Sequence, residues 1–371
     1  MKPKFRVLIV DDSAVYREFL AHILASDPQI EIAGAVQDGA EALKAVTTLR
    51  PDVITMDINM PGMDGYEVTR RIMESSPTPI VVVSAADDTG EVEMSFRAME
   101  SGALAVVPKP RGGDSPVSVS QSKELILMVR LMAEVKVVRR WSRKATPPAA
   151  VTGPQVARGL AGTWPRPQQM QTRSGPCEAI VIGASTGGPL PIKTILSVLP
   201  LDFPAAVLVV QHIAAGFGAG FAEWLGGASR LPVHVAIEGE PIMSGHVYIA
   251  PDEAHMGVRE GPRIVLGHGE PENGLRPSVS HLFRSAAKIY GKKAVGILLS
   301  GMGRDGAEEL KGLRDIGAVT FAQDRESCVV FGMPGEAVRL GGASYTMPPE
   351  AIASAIVNLA ESGSLMGGTA I

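Results

Sequence analysis

Short apolar runs alternate with amphipathic stretches of helical length through the first third of the chain. Five runs have strand length, at residues 5–10, 30–36, 52–57, 79–84 and 103–107. Runs that are apolar throughout are typical of parallel strands buried on both faces. The fivefold alternation therefore predicts an α/β domain with a doubly wound parallel sheet. Its last helix is predicted within residues 121–140, where apolar side chains recur at helical spacing at Leu125, Val129, Met132 and Val135.

The alternation stops in the middle of the chain and then resumes. From Arg139 to Pro176 the chain is rich in Pro, Gly, Ala and Arg and has no hydrophobic period, which predicts a linker. Later runs predict strands at 179–183, 206–211, 246–250, 294–300 and 318–322, with helices near 190–198, 217–226, 279–290 and 305–315. We predict one domain over residues 1–125, a helix end and basic linker over 126–175, and a second doubly wound α/β domain over 176–365.

Composition narrows the class of protein. The 371 residues are 45% hydrophobic and include 41 Gly, which suits two α/β domains with separate cores and excludes a disordered chain. Cys177 and Cys328 are too few for a disulfide framework, so we expect reduced thiols and a cytoplasmic protein. The first apolar run ends at two aspartates after about six residues, so we interpret it as a strand and not a signal peptide. No run approaches the roughly 20 residues that cross a bilayer.

Charge is distributed unevenly along the chain. Residues 1–110 carry 10 basic and 17 acidic side chains, residues 111–173 carry 11 and 3, and residues 174–371 carry 14 and 19. The basic middle includes Arg139 and Arg140, but solvated basic side chains at a helix end and in a linker are commoner than a nucleic-acid site. We therefore predict no nucleic-acid partner and no membrane insertion.

The first domain carries carboxylates, a hydroxyl and a lysine where its predicted strands end. Asp11 and Asp12 end the first strand, Asp57 the third and Ser84 the fourth, while Lys109 follows the fifth. In parallel α/β sheets, functional groups collect at this carboxyl edge. Three carboxylates there repel one another unless a cation binds, and oxygen ligands without Cys or His suit Mg²⁺. We predict a magnesium site, with Lys109 placed to meet a phosphoryl oxygen.

These positions, with NMPGMDG at 59–65 and the Lys109-Pro110 pair, resemble the receiver domain of two-component response regulators over residues 4 to about 125. The resemblance implies a flavodoxin-like fold and a cognate histidine kinase as phosphodonor. The implied roles are phosphorylation of Asp57, metal ligation by Asp11, Asp12, Asp57 and the Asn59 carbonyl, and phosphoryl sensing by Ser84 and Lys109. One position departs from the pattern, because receivers usually carry an aromatic residue where this chain has Val106.

A glycine-flanked serine follows the first apolar run of the second half. Gly183-Ala184-Ser185-Thr186-Gly187 fits G-x-S-x-G and precedes a predicted helix. Flanking glycines allow a sharp strand-to-helix turn that exposes a serine hydroxyl, and the helix N-terminus offers N–H groups to an oxyanion. A Gly-rich anion-binding turn and a plain βα connection fit the motif equally well, so the motif alone leaves all three open. The glycine spacing does not fit the dinucleotide-binding fingerprint.

A serine nucleophile needs a base, and the base needs an orienting group. His212 directly follows the run that ends at Gln211, so we expect it on the same sheet edge as Ser185. His255 is the second candidate. The same rule selects Asp305, in the loop after the run at 294–300, as the orienting carboxylate. Structural or surface roles are predicted for His22, His234, His246, His268 and His281.

The segments GASTGGP, VVQHI, IAPDEAHM, RPSVSHLF, LLSGMGRDGA and AQDRESCVVFGMPGEA occur in this order within residues 178–360. With them the chain resembles the catalytic domain of chemotaxis protein-glutamate methylesterases, the CheB family, whose layout is a receiver, a linker and this domain. The resemblance implies a Rossmann-like three-layer fold and cofactor-free hydrolysis of glutamate γ-methyl esters on methyl-accepting chemotaxis receptors, with deamidation of receptor glutamines. The implied site residues are the triad Ser185, His212 and Asp305, and Met302 and Thr186 in the oxyanion hole.

The domain layout also predicts regulation. We expect the unphosphorylated receiver to pack over the Ser185 edge and phosphorylation of Asp57 to repack that interface. Three alternatives stay open: a receiver-controlled binding module with a non-hydrolytic output, an esterase or amidase for a small molecule, and transcriptional control. The last has little support, because the second domain shows no helix-turn-helix pattern and is net acidic.

Overall fold

The computed structural model describes residues 4–84, 89–113, 115–135, 137 and 177–362. Two parallel sheets, each with helices on both faces, form the two halves of this part of the chain. The α/β class predicted from the hydrophobic pattern is therefore confirmed. Most of the predicted linker, residues 138–176, lies outside the described residues.

The first sheet has five strands in the order β2-β1-β3-β4-β5, all parallel. Its strands are β1 (Phe5–Val10), β2 (Ile30–Val36), β3 (Val53–Met56), β4 (Ile80–Ser84) and β5 (Ala105–Pro108). Its helices are α1 (Ala14–Ala25), α2 (Gly39–Leu49), α3 (Gly65–Ser75), α4 (Thr89–Ser101) and α5 (Pro116–Ala133). Alternate residues of β1 enter different cores, with Val7 and Ile9 on the α1 and α5 side and Leu8 and Val10 on the other. The sheet is thus doubly wound, which explains its continuous apolar runs.

The start of α5 differs from the sequence expectation. The helix begins at Pro116, five residues before the predicted start at 121, and it ends at Ala133. Ser115 caps it by accepting the Ser118 N–H, and Pro116 occupies the first turn, where a missing N–H costs nothing. The prediction followed apolar spacing alone and missed this Ser-Pro start signal.

The second sheet has seven parallel strands in the order β14-β13-β12-β6-β7-β9-β8. Its strands are β6 (Ala179–Ala184), β7 (Ala206–Gln211), β8 (Val233–Val235), β9 (Val247–Ile249), β12 (Ala294–Leu298), β13 (Val319–Gln323) and β14 (Tyr345–Met347). An antiparallel hairpin, β10 (His255–Arg259) and β11 (Arg263–Gly267), stands apart from it. The sequence analysis predicted five of the seven strands of this sheet and missed β8 and β14, which have three residues each and lie at its two edges, and it also missed the separate hairpin.

Helices cover both faces of the second sheet. They are α6 (Pro189–Ser197), α7 (Gly218–Gly226), α8 (Val279–Tyr290), α9 (Ala307–Asp315), α10 (Met333–Arg339) and α11 (Pro349–Ser362). Apolar side chains of α6, α7 and α11 pack on one face, and those of α8, α9 and α10 pack on the other. None of the helices in the described part of the chain has the length and apolarity needed to cross a bilayer.

The two halves meet where α4 packs against α7. Phe96 is buried, and its ring centroid lies 5.2 Å from that of Phe221 and 5.3 Å from that of Trp224. Glu100 accepts a hydrogen bond from Trp224 Nε1 at 2.7 Å and pairs with Lys193. The contact between α4 and α7 therefore combines packed aromatic rings with a hydrogen bond and an ion pair made by Glu100, and it holds α4 of the first half against the second half.

Candidate active site

Ser185 lies in the turn between β6, the central strand of the second sheet, and α6. Its N–H donates to the Ser300 carbonyl at 3.0 Å, and its own carbonyl accepts from the Gly188 N–H and from Gln211 Nε2, both at 2.8 Å. Gly301 passes so close that a Cβ there would lie 2.8 Å from the Ser185 Cβ. Hydrogen bonds and a close glycine contact thus hold the half-buried serine in one place.

His212 and Asp305 come from the loops after β7 and β12, the two strands that flank β6. The His212 Nε2 and Asp305 Oδ2 atoms are 3.0 Å apart, and the Asp305 side chain is fully buried. The His212 Nδ1 atom is also buried, and it has no hydrogen-bond partner among the residues described. With the Nε2 proton donated to Asp305, Nδ1 carries the free lone pair and is the atom that can accept a proton.

Donors from the start of α8 surround Asp305. Its Oδ2 accepts from the Val279 N–H at 2.7 Å, and its Oδ1 accepts from the Ser280 N–H at 3.2 Å. Ser278 Oγ and Asn273 Nδ2 donate to Oδ1 at 3.0 and 3.3 Å. Burial raises the pKa of Asp305, but the neighbouring imidazole and the bonds from Ser280 and Val279 outweigh burial and hold the pKa well below its usual value. The carboxylate is therefore built to stay charged at a helix N-terminus.

A single cavity of about 330 Å³ joins these groups. Ser185 and His212 line it together with Thr186 and Met302. The Thr186 and Met302 N–H groups make no hydrogen bond to any described residue, which leaves both available to a negatively charged oxygen beside Ser185. The cavity thus brings a serine hydroxyl, an imidazole and two backbone donors to one place.

The other wall of this cavity belongs to the first half of the chain. Helix α5 contributes a stripe of side chains at helical spacing, while α4 and β5 contribute apolar groups. The lining residues from this half include Phe96, Met99, Val106, Glu124, Leu127, Met128 and Leu131. The Ser185 edge therefore faces the α4-β5-α5 side of the first half, and Val106 lies on that side.

Asp57 is the centre of a second polar site, at the carboxyl edge of the first sheet. Its Oδ2 accepts a hydrogen bond from Lys109 Nζ at 2.7 Å, and the same Nζ lies 3.3 Å from Asp11 Oδ2. Burial raises the pKa of Asp57 to about 6, with Asp11 adding to the rise and Lys109 opposing it. The Ser84 carbonyl accepts the Lys109 N–H at 2.8 Å, and the Asn59 N–H donates to Asp57 Oδ1 at 3.4 Å.

This second site fits a divalent cation. Oxygen atoms of Asp11, Asp12 and Asp57 lie within 4.8 Å of one another. The Oδ2 atom of Asp11 is buried and accepts no hydrogen bond within the described residues, although Lys109 is near. Such an oxygen suits ligation of a hard cation, and the donor set contains only oxygen, as Mg²⁺ prefers.

The predicted site residues fall into these two groups, and several partners were not predicted. At the Asp57 site, Arg17 Nη1 donates to the Asp11 carbonyl at 2.7 Å and the Asp12 carbonyl at 3.0 Å, and Lys109 Nζ lies 5.1 Å from the Tyr16 ring centroid. At the Ser185 site, the sequence analysis missed the donors to Asp305 at the start of α8. A Ser one position before the amphipathic pattern of α8 was the available signal, since it is typical of a helix cap.

His255, the second candidate base, lies away from the Ser185 cavity. It is buried in β10, its ring stacks on His281 at 4.9 Å, and its Nε2 lies 3.1 Å from the Glu270 carbonyl oxygen. It does not line the cavity. Packing in the hairpin accounts for this residue, and His212 is the histidine that the fold brings to Ser185.

The fold and the two sites define a response regulator whose second α/β domain carries a serine, histidine and aspartate at one sheet edge. The chain matches the family model of the response regulator receiver domain over residues 7–115 and that of CheB methylesterase over residues 180–356. A "Protein-glutamate methylesterase/protein-glutamine glutaminase 1" from Syntrophus aciditrophicus is 52% identical over 96% of this chain and 99% of its own length. A protein of the same name, numbered 4, from Geobacter metallireducens is 51% identical over 96% and 99%.

The chain belongs to the CheB family of protein-glutamate methylesterase/protein-glutamine glutaminases and is a carboxylic ester hydrolase with a receiver domain. The family resemblance inferred from the motifs is thereby confirmed. A solved structure, the catalytic domain of Thermotoga maritima CheB methylesterase, is 38% identical and covers 49% of this chain and 98% of that one, with a TM-score of 0.48.

Proposed function

We propose that the chain hydrolyses glutamate γ-methyl esters on methyl-accepting chemotaxis receptors in the cytoplasm, and that phosphorylation of Asp57 activates it. Ser185 is the nucleophile, His212 the base and Asp305 the orienting group. The observation that supports this most directly is the His212–Asp305 pair, which shares the cavity of Ser185 and leaves Nδ1 without a partner. We also propose deamidation of receptor glutamines, because the names of the relatives include protein-glutamine glutaminase.

The chemistry follows from which ring nitrogen is free. Ser185 Oγ attacks the ester carbonyl carbon while His212 Nδ1 takes the hydroxyl proton, and Asp305 stabilises the resulting imidazolium. The N–H groups of Met302 and Thr186 donate to the oxyanion. The His212 proton then passes to the departing methoxide, and methanol leaves an acyl-enzyme. Water then attacks the acyl carbon and gives its proton to the same nitrogen, which passes the proton to Ser185 Oγ as the acyl bond breaks. The glutamate side chain is released as a carboxylic acid, which ionises in water; with a glutamine substrate, ammonia leaves instead of methanol.

Regulation is proposed to work through the shared cavity. The α4-β5-α5 side of the receiver lines the cavity opposite Ser185 and so limits access to it. A cognate histidine kinase is the proposed phosphodonor to Asp57. Asp11, Asp12, Asp57 and the Asn59 carbonyl would hold Mg²⁺, which when bound supplies positive charge against phosphoryl oxygens. Ser84 and Lys109 then meet the new phosphoryl group, and the added charge biases the interface toward an open state.

Methanol release from methylated receptor membranes tests the proposal. Wild type, Ser185→Ala and the control Ser197→Ala, an exposed serine of α6, are assayed with and without acetyl phosphate and Mg²⁺. We expect release by wild type and the control, stimulation by the phosphodonor, and loss of release in Ser185→Ala. Release that is unchanged in Ser185→Ala would overturn the catalytic assignment.

The binding-module alternative is not favoured, because the relatives that match nearly the full chain carry enzyme names. A second substrate, a nitrophenyl ester, distinguishes an esterase for small molecules from a receptor methylesterase in the same assay. Hydrolysis of a nitrophenyl ester well above hydrolysis of receptor esters would favour that reading.

A further inference from the structure

We propose that Ser278 is a positioning residue of the triad, whose hydroxyl holds the Asp305 carboxylate in the orientation that keeps His212 Nε2 protonated. The inference rests on the proposed function, because it concerns the same reaction. Ser278 is fully buried, is the N-cap of α8, and is absent from the lining of the Ser185 cavity. Its action on the reaction must therefore pass through Asp305.

The Ser278 hydroxyl serves two partners at once. Its oxygen accepts the His281 N–H at 3.4 Å, as an N-cap does, and its proton is donated to Asp305 Oδ1 at 3.0 Å. A hydroxyl has one proton and two lone pairs, so these two bonds are compatible. Because the His281 N–H donates to a lone pair of the Ser278 oxygen, the Ser278 hydroxyl proton is free to point at the Asp305 carboxylate.

The two oxygens of Asp305 have different tasks. Oδ2 receives His212 Nε2 at 3.0 Å and the Val279 N–H at 2.7 Å, whereas Oδ1 does not contact the imidazole and receives donors only from residues outside the cavity lining. Rotation of the carboxylate about its Cβ–Cγ bond would carry Oδ2 away from the imidazole, and bonds to Oδ1 resist that rotation. The donors to Oδ1 are Ser278 Oγ at 3.0 Å, Ser280 N at 3.2 Å and Asn273 Nδ2 at 3.3 Å.

Ser278 is the side chain best placed for this task. The Ser280 donor is a backbone N–H, and the Asn273 amide bond is longer and starts from a turn residue with φ of +54°. The hydrogen bond from the Ser278 hydroxyl is the shortest of the three bonds to Oδ1, and Ser278 is the N-cap of a helix. When it is lost, more imidazole adopts the tautomer with the proton on Nδ1, which cannot accept the Ser185 proton.

Three substitutions separate positioning from capping. Ser278→Gly removes the hydroxyl but keeps most of the capping preference, Ser278→Thr keeps both bonds, and Ser278→Cys keeps the buried volume with a weak donor. We expect kcat for methanol release to fall about 10- to 100-fold in the Gly variant, the range that loss of the orienting partner of a metal-binding histidine or carboxylate costs. We expect KM to stay within about twofold, a smaller loss for Cys, and recovery for Thr.

A direct readout of the ring comes from ¹⁵N-labelled histidine in the full chain. We expect His212 to be protonated at Nε2 in wild type and Ser278→Thr, and to show a mixture of tautomers in the Gly and Cys variants. Asp38→Gly, which removes the side-chain cap of α2 in the first half of the chain, is the capping control and should leave kcat and the His212 signal unchanged.

Wild-type kcat and an unchanged tautomer in the folded Gly or Cys variant would overturn the inference, and so would a Thr variant as impaired as the Gly variant. If Ser185→Ala also released methanol at the wild-type rate, the proposed function itself would fail. Loss of activity in Ser185→Ala with normal Ser278 variants would overturn only the role of Ser278.

Discussion

Asp57 and Asp305 each lie at the carboxyl edge of a parallel sheet, and their surroundings shift their pKa values in opposite directions. Both are buried, and both follow a strand at the carboxyl edge. Burial raises the pKa of Asp57 to about 6, whereas hydrogen bonds overcome burial at Asp305 and hold its pKa below the usual range. Burial alone therefore does not decide the state of a carboxylate at a sheet edge.

The difference lies in the donors around each carboxylate. Asp305 receives two backbone N–H groups, a serine, an asparagine and the imidazole, while Asp57 has Lys109 and a long bond from Asn59 beside the repelling Asp11. A carboxylate whose lone pairs are occupied orients its neighbour. A carboxylate with few donors stays able to take a cation or a phosphoryl group.

The largest effect is expected from Asp305→Asn. An amide would present NH₂ or C=O to His212 and favour the wrong tautomer, and loss of about 10⁴-fold in kcat is typical of this change in a triad. Asp57→Asn should leave the rate without phosphodonor unchanged. The measurement is steady-state methanol release without acetyl phosphate, and a loss below tenfold in Asp305→Asn would contradict the orienting role.

The second-largest effect is expected on the free energy of unfolding, which should depend on pH through the shifted pKa values of Asp57 and Asp305. Because the folded protein binds the Asp57 proton more tightly than the unfolded chain, the contribution of this group is present below about pH 4 and is lost as pH rises through about 6. The contribution of Asp305 to stability depends on pH in the opposite direction, because its pKa is lowered on folding. This contribution is present above about pH 4 and is lost as pH falls.

Asp57→Asn removes only the first of these contributions. Its free energy of unfolding relative to wild type should therefore increase by about 2–3 kcal/mol between pH 4 and pH 7 in EDTA. Urea unfolding at several pH values measures the difference. A difference that does not change with pH would show that the Asp57 pKa is not raised.

The third effect is loss of stimulation in Asp57→Asn. Without the acceptor carboxylate, acetyl phosphate and Mg²⁺ should no longer raise methanol release, and the stimulation lost is about 5- to 150-fold if the coupling is of ordinary size. Asp52→Asn, at the other end of the same strand region and exposed, is the matched control and should respond like wild type. Stimulation that persists in Asp57→Asn would place the phosphoryl group elsewhere.

The smallest effect on the rate is expected from a change in the α4–α7 contact, which lies between the half with the Asp57 site and the half with Ser185. Phe96→Ala removes one ring from the cluster with Phe221 and Trp224, and the loss of two aromatic pairs should raise the rate without phosphodonor about 3- to 10-fold. Phe19→Ala, whose ring packs on Tyr16 in α1, is the matched control. No rise in Phe96→Ala would show that the α4–α7 contact does not restrain access to Ser185.

The fold was predictable wherever strands are buried on both faces. The runs of β1, β6 and β7 are apolar apart from Arg6 and Gln211 at their ends, because both sides of each strand meet a core, so length and composition suffice. Short edge strands such as β8 and β14 are only partly buried, so their sequences carry a weaker pattern. The hairpin of β10 and β11 also escaped prediction, because it belongs to neither parallel sheet.

The sequence by itself determined the two α/β units, the carboxyl edges and the residues placed there, because strand ends can be located from apolar runs and parallel sheets collect their loops at one edge. Only the tertiary structure decided that Nδ1 is the free nitrogen of His212, that the start of α8 supplies the donors of Asp305, and which side chains of α4, β5 and α5 line the Ser185 cavity. The physical reason is that these features depend on contacts between segments far apart in the chain, and on directions of individual hydrogen bonds, which no local pattern of residues records.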